Sequence, residues 1–118
     1  EKAIPVFIDS DESWNMSPKA LQKAFDWAEK EGKMPKAVVV VDLYGQSAKW
    51  DEIIPICKKY DVPILEDAAE ALGCKYKEKY CGNFGDISVI SFNGNKIITT
   101  SGGGMMFTKT EEERNLAF

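Results

Sequence analysis

Ala37-Val38-Val39-Val40-Val41, running on to Leu43, constrains the fold more than any other stretch of the chain. Consecutive β-branched side chains favour extended backbone, and an apolar run without polar alternation is the pattern of a parallel strand buried on both faces. Parallel strands need crossover connections, so amphipathic helices are expected on either side. Upstream, Ser17-Pro18 offers a helix N-cap followed by proline at the first helical position. Leu21, Ala24, Phe25 and Ala28 then fall at i, i+3, i+4 and i+7, and Gly32 supplies a left-handed stop. Downstream, Trp50, Ile53, Ile54 and Cys57 form a second stripe. Asp51 reads as its N-cap, with Pro55 marking a start close by because proline is tolerated in the first turn.

Further strands are expected at Val6-Phe7-Ile8, at Pro63-Ile64-Leu65 ending in Glu66-Asp67, at Ile87 to Phe92, and at Met105-Met106-Phe107. Strands alternating with amphipathic helices give an α/β class, a mostly parallel sheet layered with helices. A glycine run, Gly102-Gly103-Gly104, leads into a strand rather than a helix, so it reads as a turn or strand entry and not a phosphate cradle. Thr110 and Glu113 make a capping box for a helix opening at Glu111, and the chain stops at Phe118 about two turns in, which is expected of a cut end. Lys75 to Tyr80, between Cys74 and Cys81, reads as a solvated loop. Trp14, Trp27 and Trp50 read as packing residues.

The composition removes several function classes. At 118 residues there is one domain's worth of core, and the longest apolar run is too short to cross a bilayer. A net charge of −4 with scattered basic residues offers no stripe for a phosphate backbone, so neither nucleic acid nor a membrane is expected as a partner. With no histidine, no Ser-His-Asp triad or Cys-His pair can be built, and Lys, Tyr and carboxylates remain as proton carriers. Three cysteines without a Cys-x-x-Cys pair make a zinc site unexpected, and fit a reducing cytoplasm.

Ligands of open α/β sheets bind beyond the carboxyl ends of the strands, where Asp67 and Lys96 are expected. Taken singly, Asp67 is better read as an N-cap for Ala68-Ala69-Glu70 and Lys96 as a solvated loop charge. Together with Glu70, Ser91 and the surrounding glycines they suggest a site.

The stretches Glu66-Asp67-Ala68-Ala69-Glu70-Ala71-Leu72-Gly73, Gly85-Asp86-Ile87 and Ser91-Phe92-Asn93-Gly94-Asn95-Lys96-Ile97-Ile98-Thr99-Thr100 resemble the DegT/DnrJ/EryC1/StrS sugar-nucleotide aminotransferases. Leu43-Tyr44-Gly45-Gln46 and Gly103-Gly104-Met105 extend the resemblance to nearly the whole chain. It implies the large domain of a fold-type-I enzyme that uses pyridoxal 5'-phosphate. Residues 1–118 would be a fragment of that domain, without its N-terminal phosphate-binding segment and C-terminal small domain, and inactive alone. Lys96 is then the residue that bonds the pyridoxal aldehyde, and Asp67 the partner that keeps the pyridine nitrogen protonated. Ser91 would contact the phosphate. Glu70, placed one helical turn after Asp67, would contact the phenolic oxygen.

Three departures accompany the match. Relatives often carry Gln or His at Glu70, whose charge would be repelled by Asp67 unless paired or protonated. Asp42 stands where relatives commonly have His, and Ser101-Gly102 replaces an acidic Gly-Glu. Having lysine rather than histidine at position 96 implies amino transfer rather than dehydration. The substrates implied are glutamate as amino donor and a keto-sugar nucleotide, by resemblance a UDP-linked 4-keto-6-deoxy-N-acetylhexosamine, with a dTDP-linked sugar as the alternative. A homodimer is also implied. A non-catalytic α/β nucleotide-binding or response-regulator-like module would share the alternating elements. The family further implies that the Val6 strand lacks its usual neighbour and that the Met105 strand runs antiparallel.

Overall fold

The structure, a computed structural model, describes residues 3–117. Helix α1 spans Pro18–Glu31, with the Ser17 side chain accepting from Ala20 N and Gly32 closing it at φ 63°. Strand β1 is Val38–Val41, helix α2 is Trp50–Lys59, and strand β2 is Ile64–Asp67. Two short strands, β3 (Lys75–Tyr76) and β4 (Lys79–Tyr80), form an antiparallel hairpin. Strand β5 (Ile87–Ser91), strand β6 (Gly104–Thr108) and helix α3 (Glu111–Leu116) complete the order. The capping box at Thr110 is formed as expected.

The main sheet has the order β1-β2-β5-β6. β1, β2 and β5 are parallel, and β6 is antiparallel to β5, with Val89 facing Met106. This is the mostly parallel α/β sheet expected, including the reversed Met105 strand. Leu21 and Phe25 of α1 and Trp50, Ile53 and Cys57 of α2 pack with Val38, Val40 and Ile64 into one core. Burying each large apolar side chain of this kind contributes about 1.5–3 kcal/mol.

Several local expectations are corrected. Val6-Phe7-Ile8 is not a strand: Val6 and Phe7 are exposed, and the nearest pairing is an isolated bridge between Ser10 and Met16. Among the described residues no strand lies alongside to take its backbone hydrogen bonds, which is what makes a strand. β1 is buried on one face rather than two, since Val38 and Val40 point into the core while Val39 remains 53% exposed. Helices α1 and α2 both contribute to the core on that first face.

Asp51 is not an N-cap. Helix α2 starts at Trp50, two residues earlier than an Asp51 cap would set it, with Lys49 at the cap position and Pro55 inside the helix. Asp51 instead accepts from the Tyr76 hydroxyl and, at 2.8 Å, from Lys77 Nζ. The Lys75–Tyr80 segment is thus an ordered hairpin rather than a loop, docked on α2. Of the tryptophans only Trp50 is a packing residue, stacked on Phe84. Trp14 and Trp27 are exposed.

Candidate active site

The carboxyl ends of β1, β2 and β5 form one rim. Backbone bonds from Asp42 N to Asp67 O (3.0 Å) and from Ala68 N to Val89 O (3.0 Å) carry the pairing to its edge. Asp67 is the last residue of β2, in register with Val41 on one side and Val89 on the other. Alternation along β5 puts Ser91 on the same sheet face as Asp67, two residues beyond Val89. Beyond β5 the chain makes a loop that returns to its own base, with Phe92 N bonded to Gly103 O and Thr100 N to Phe92 O. Lys96 sits in this loop, its amide bonded to Asn93 O.

Lys96 Nζ reaches Glu70 Oε1 at 3.2 Å, and its side chain is only 15% exposed. It is therefore no solvated loop charge. Glu70 is also corrected: residues 68–73 form two successive turns, not a helix, with Ala71 N bonded to Ala68 O and Cys74 N to Ala71 O. Asp67 Oδ1 accepts from Ala69 N at 3.1 Å, so its capping role is spent on a turn. The second Glu70 oxygen accepts from Tyr44 N at 3.0 Å. Those contacts, the Tyr44 amide first and the Lys96 amine next, hold the Glu70 carboxyl below the usual glutamate range. Glu70 is thus paired with a cation, Lys96, rather than standing as an unpaired carboxylate.

Tyr44 takes up a left-handed conformation (φ 53°, ψ 31°) in the short 3-10 turn Leu43–Gly45, uncommon for a residue with a side chain. Gly45 follows at φ 79°, where a Cβ would stand 3.3 Å from Glu70 O. Asn15 fixes the turn from below, its amide donating to Gln46 O and Ser47 O while its oxygen accepts from Leu43 N. The outer wall is an open pocket of about 320 Å³ lined by Ser13, Trp14, Leu43, Tyr44 and Gln46.

The structure thus brings Lys96 and Glu70 into contact and sets Asp67 three residues from Glu70 on the same rim. Ser91 stands on the adjoining strand, its hydroxyl oxygen accepting from Asn93 N at 3.3 Å. What sequence reading missed is Glu66. Its fully buried carboxylate accepts from Gly82 N (2.5 Å), Phe84 N (2.7 Å), Gly85 N (2.8 Å) and Ser88 Oγ (2.8 Å). The signal was the two-residue alternation from Ile64, which turns Glu66 into the core beside Asp67 turned out to the rim. Near it Asp42 is equally buried, and burial pushes its carboxyl up to about 6, with the Ala48 amide opposing and the Glu66 charge adding to the rise.

The family model described as the DegT/DnrJ/EryC1/StrS aminotransferase family matches residues 1–118. The chain belongs to this family. It is 60% identical over 112 residues to a protein of Bacillus subtilis (strain 168) that carries the provisional name pyridoxal phosphate-dependent aminotransferase EpsN, covering 94% of this chain and 29% of that one. GDP-perosamine synthase of Escherichia coli O157:H7 is 45% identical over 119 residues, covering 98% and 31%. Among solved structures, a DegT DnrJ EryC1 StrS aminotransferase from Brucella abortus superposes with a TM-score of 0.89 at 38% identity, over 96% of this chain and 31% of that one. The chain therefore spans less than a third of the length of these relatives.

Proposed function

We propose that this chain is the cofactor-binding part of a pyridoxal-phosphate-dependent aminotransferase that moves an amino group from glutamate to a keto-sugar nucleotide. The observation that carries the reading is the half-buried amine of Lys96, held 3.2 Å from Glu70 on the rim where β2 ends in Asp67. An amine, an outward carboxylate and a strand-end hydroxyl on one sheet rim fit the aldehyde, ring nitrogen and phosphate of the cofactor. Asp67 fits because one oxygen is fixed by Ala69 N, which leaves the other to meet a ring N–H. When bound, the cofactor supplies a ring that accepts an electron pair from the substrate carbon.

The chain's own residues do the rest in this reading. Lys96 Nζ would hold the cofactor, and as a free amine it would take and return a proton at the substrate carbon. Asp67 keeps positive charge on the ring nitrogen by accepting its hydrogen bond. Glu70 holds the Lys96 amine over the end of β2, and its tie to Tyr44 N fixes that direction. Ser91 Oγ is offered to the phosphate as donor.

A UDP-linked 4-keto-6-deoxy-N-acetylhexosamine is the proposed acceptor, in line with the name of a Campylobacter jejuni relative, UDP-4-amino-4,6-dideoxy-N-acetyl-beta-L-altrosamine transaminase, at 39% identity. A GDP-linked sugar is the second reading, favoured by the higher identity to GDP-perosamine synthase. In the full-length enzyme, borohydride reduction should fix the cofactor to Lys96 alone. Lys96→Ala should stop turnover and capture together, whereas Asp67→Ala should keep capture and lose most of the rate. Capture at another lysine, or near-normal turnover by Lys96→Ala, would overturn the proposal. Comparing amino transfer to UDP-, GDP- and dTDP-linked keto-sugars separates the acceptor readings.

A further inference from the structure

Asp42 follows β1 with none of its surface exposed, and its Oδ2 has no hydrogen-bond partner. One oxygen each of Asp42 and Glu66 and the sulfur of Cys81 lie within 4.8 Å of one another. Two buried carboxyl groups this close do not both ionise unless a cation stands between them. Among the described residues no lysine or arginine pairs with either.

The donors around the pair decide which group keeps the charge. Glu66 receives four, spread over both oxygens, three of them backbone amides of the 82–85 loop. Asp42 receives two, Ala48 N at 2.7 Å and Trp50 Nε1 at 3.1 Å, both on Oδ1. A carboxylate is stabilised by donors, and an oxygen without any is where a proton belongs. We infer that Asp42 is a carboxylic acid whose Oδ2–H is shared with the Glu66 carboxylate, a built-in proton that positions the end of β1 against β2 beside Asp67. The other titratable groups facing it are the Cys81 thiol and, behind that, Cys74, and burial pushes the Cys81 thiol up so that it adds no charge. Ala48 and Trp50 from the start of α2 present only neutral donors. Asp42 N also donates to Asp67 O, so the proton and the backbone bond span the same strand pair.

The inference does not rest on the proposed transfer activity and is tested apart from it. In the full-length protein labelled with carboxyl-¹³C aspartate, infrared spectra at about pH 5.5, more than a unit above the usual aspartate pKa of about 3.9, should contain an acid carbonyl band. That band should be lost in Asp42→Asn. The sign of the stability effect follows from a raised folded pKa: the contribution is complete below the unfolded value and is lost as pH rises through the folded one. Across that window the wild-type unfolding equilibrium should shift about tenfold per pH unit relative to Asp42→Asn, one proton's worth. Asp42→Asn, whose amide donates as the acid does, should keep the wild-type denaturation midpoint below the window, where Asp42 stays protonated, and exceed it above, while Asp42→Ala should lose it. Absence of the band, equal pH slopes, or one tightly held divalent cation per chain that disappears in Asp42→Asn would each overturn the inference.

Discussion

Glu66 offers the sharpest test of how the rim is held. Its carboxylate binds the 82–85 loop through Gly82, Phe84 and Gly85 amides and takes the Ser88 hydroxyl, all within 2.8 Å. In Glu66→Gln the side-chain oxygen can keep the three donors now on Oε2, but the new amide must face Gly82 N, donor against donor. One buried N–H left without an acceptor costs about 1–3 kcal/mol. Glu66→Ala removes the acceptor of four neutral donors, each costing about 1–3 kcal/mol if it stays buried and unsatisfied, so its loss should exceed that of Glu66→Gln. Urea unfolding of the full-length protein, followed by tryptophan fluorescence, measures both, and the two losses should be ordered Gln before Ala. A Glu66→Gln loss inside the ±0.5 kcal/mol of an ordinary surface change would refute the reasoning. So would equal losses in the two variants.

Gly85→Ala should destabilise by about 1–3 kcal/mol through overpacking, since its Cβ would lie 2.6 Å from Ile87 O and 2.8 Å from Glu66 N; the same urea experiment reads it. Carboxyl NMR should place the Glu70 titration below the usual glutamate value, because Tyr44 N and Lys96 hold the charged form. The stability it lends is then present above that usual value and lost as pH falls through the folded one, and Glu70→Gln should flatten this acid limb. Ser17→Ala should cost about 0.5–2 kcal/mol through loss of the cap bond to Ala20 N, seen as a lower denaturation midpoint.

What the sequence determined was whatever depends on near neighbours. Period and punctuation set α1 between Ser17 and Gly32, the strands at 38, 64, 87 and 104, and the capping box at Thr110, because caps, stripes and β-branched runs act within a few residues. The stretches that carry the family resemblance were legible too, and with them the family. Tertiary structure decided what depends on contacts across the chain. Val6 to Ile8 has strand chemistry, yet pairing needs a neighbour that local sequence cannot supply. Glu70 leaves the expected helical turn because its two oxygens are claimed by Tyr44 and Lys96, each 26 residues distant. Glu66 read in sequence as part of a strand end and Asp42 as a departure from the His of relatives, and only the packing of β1, β2 and the 82–85 loop turned them into a buried pair, since burial and the surrounding donors set whether a carboxyl keeps its charge.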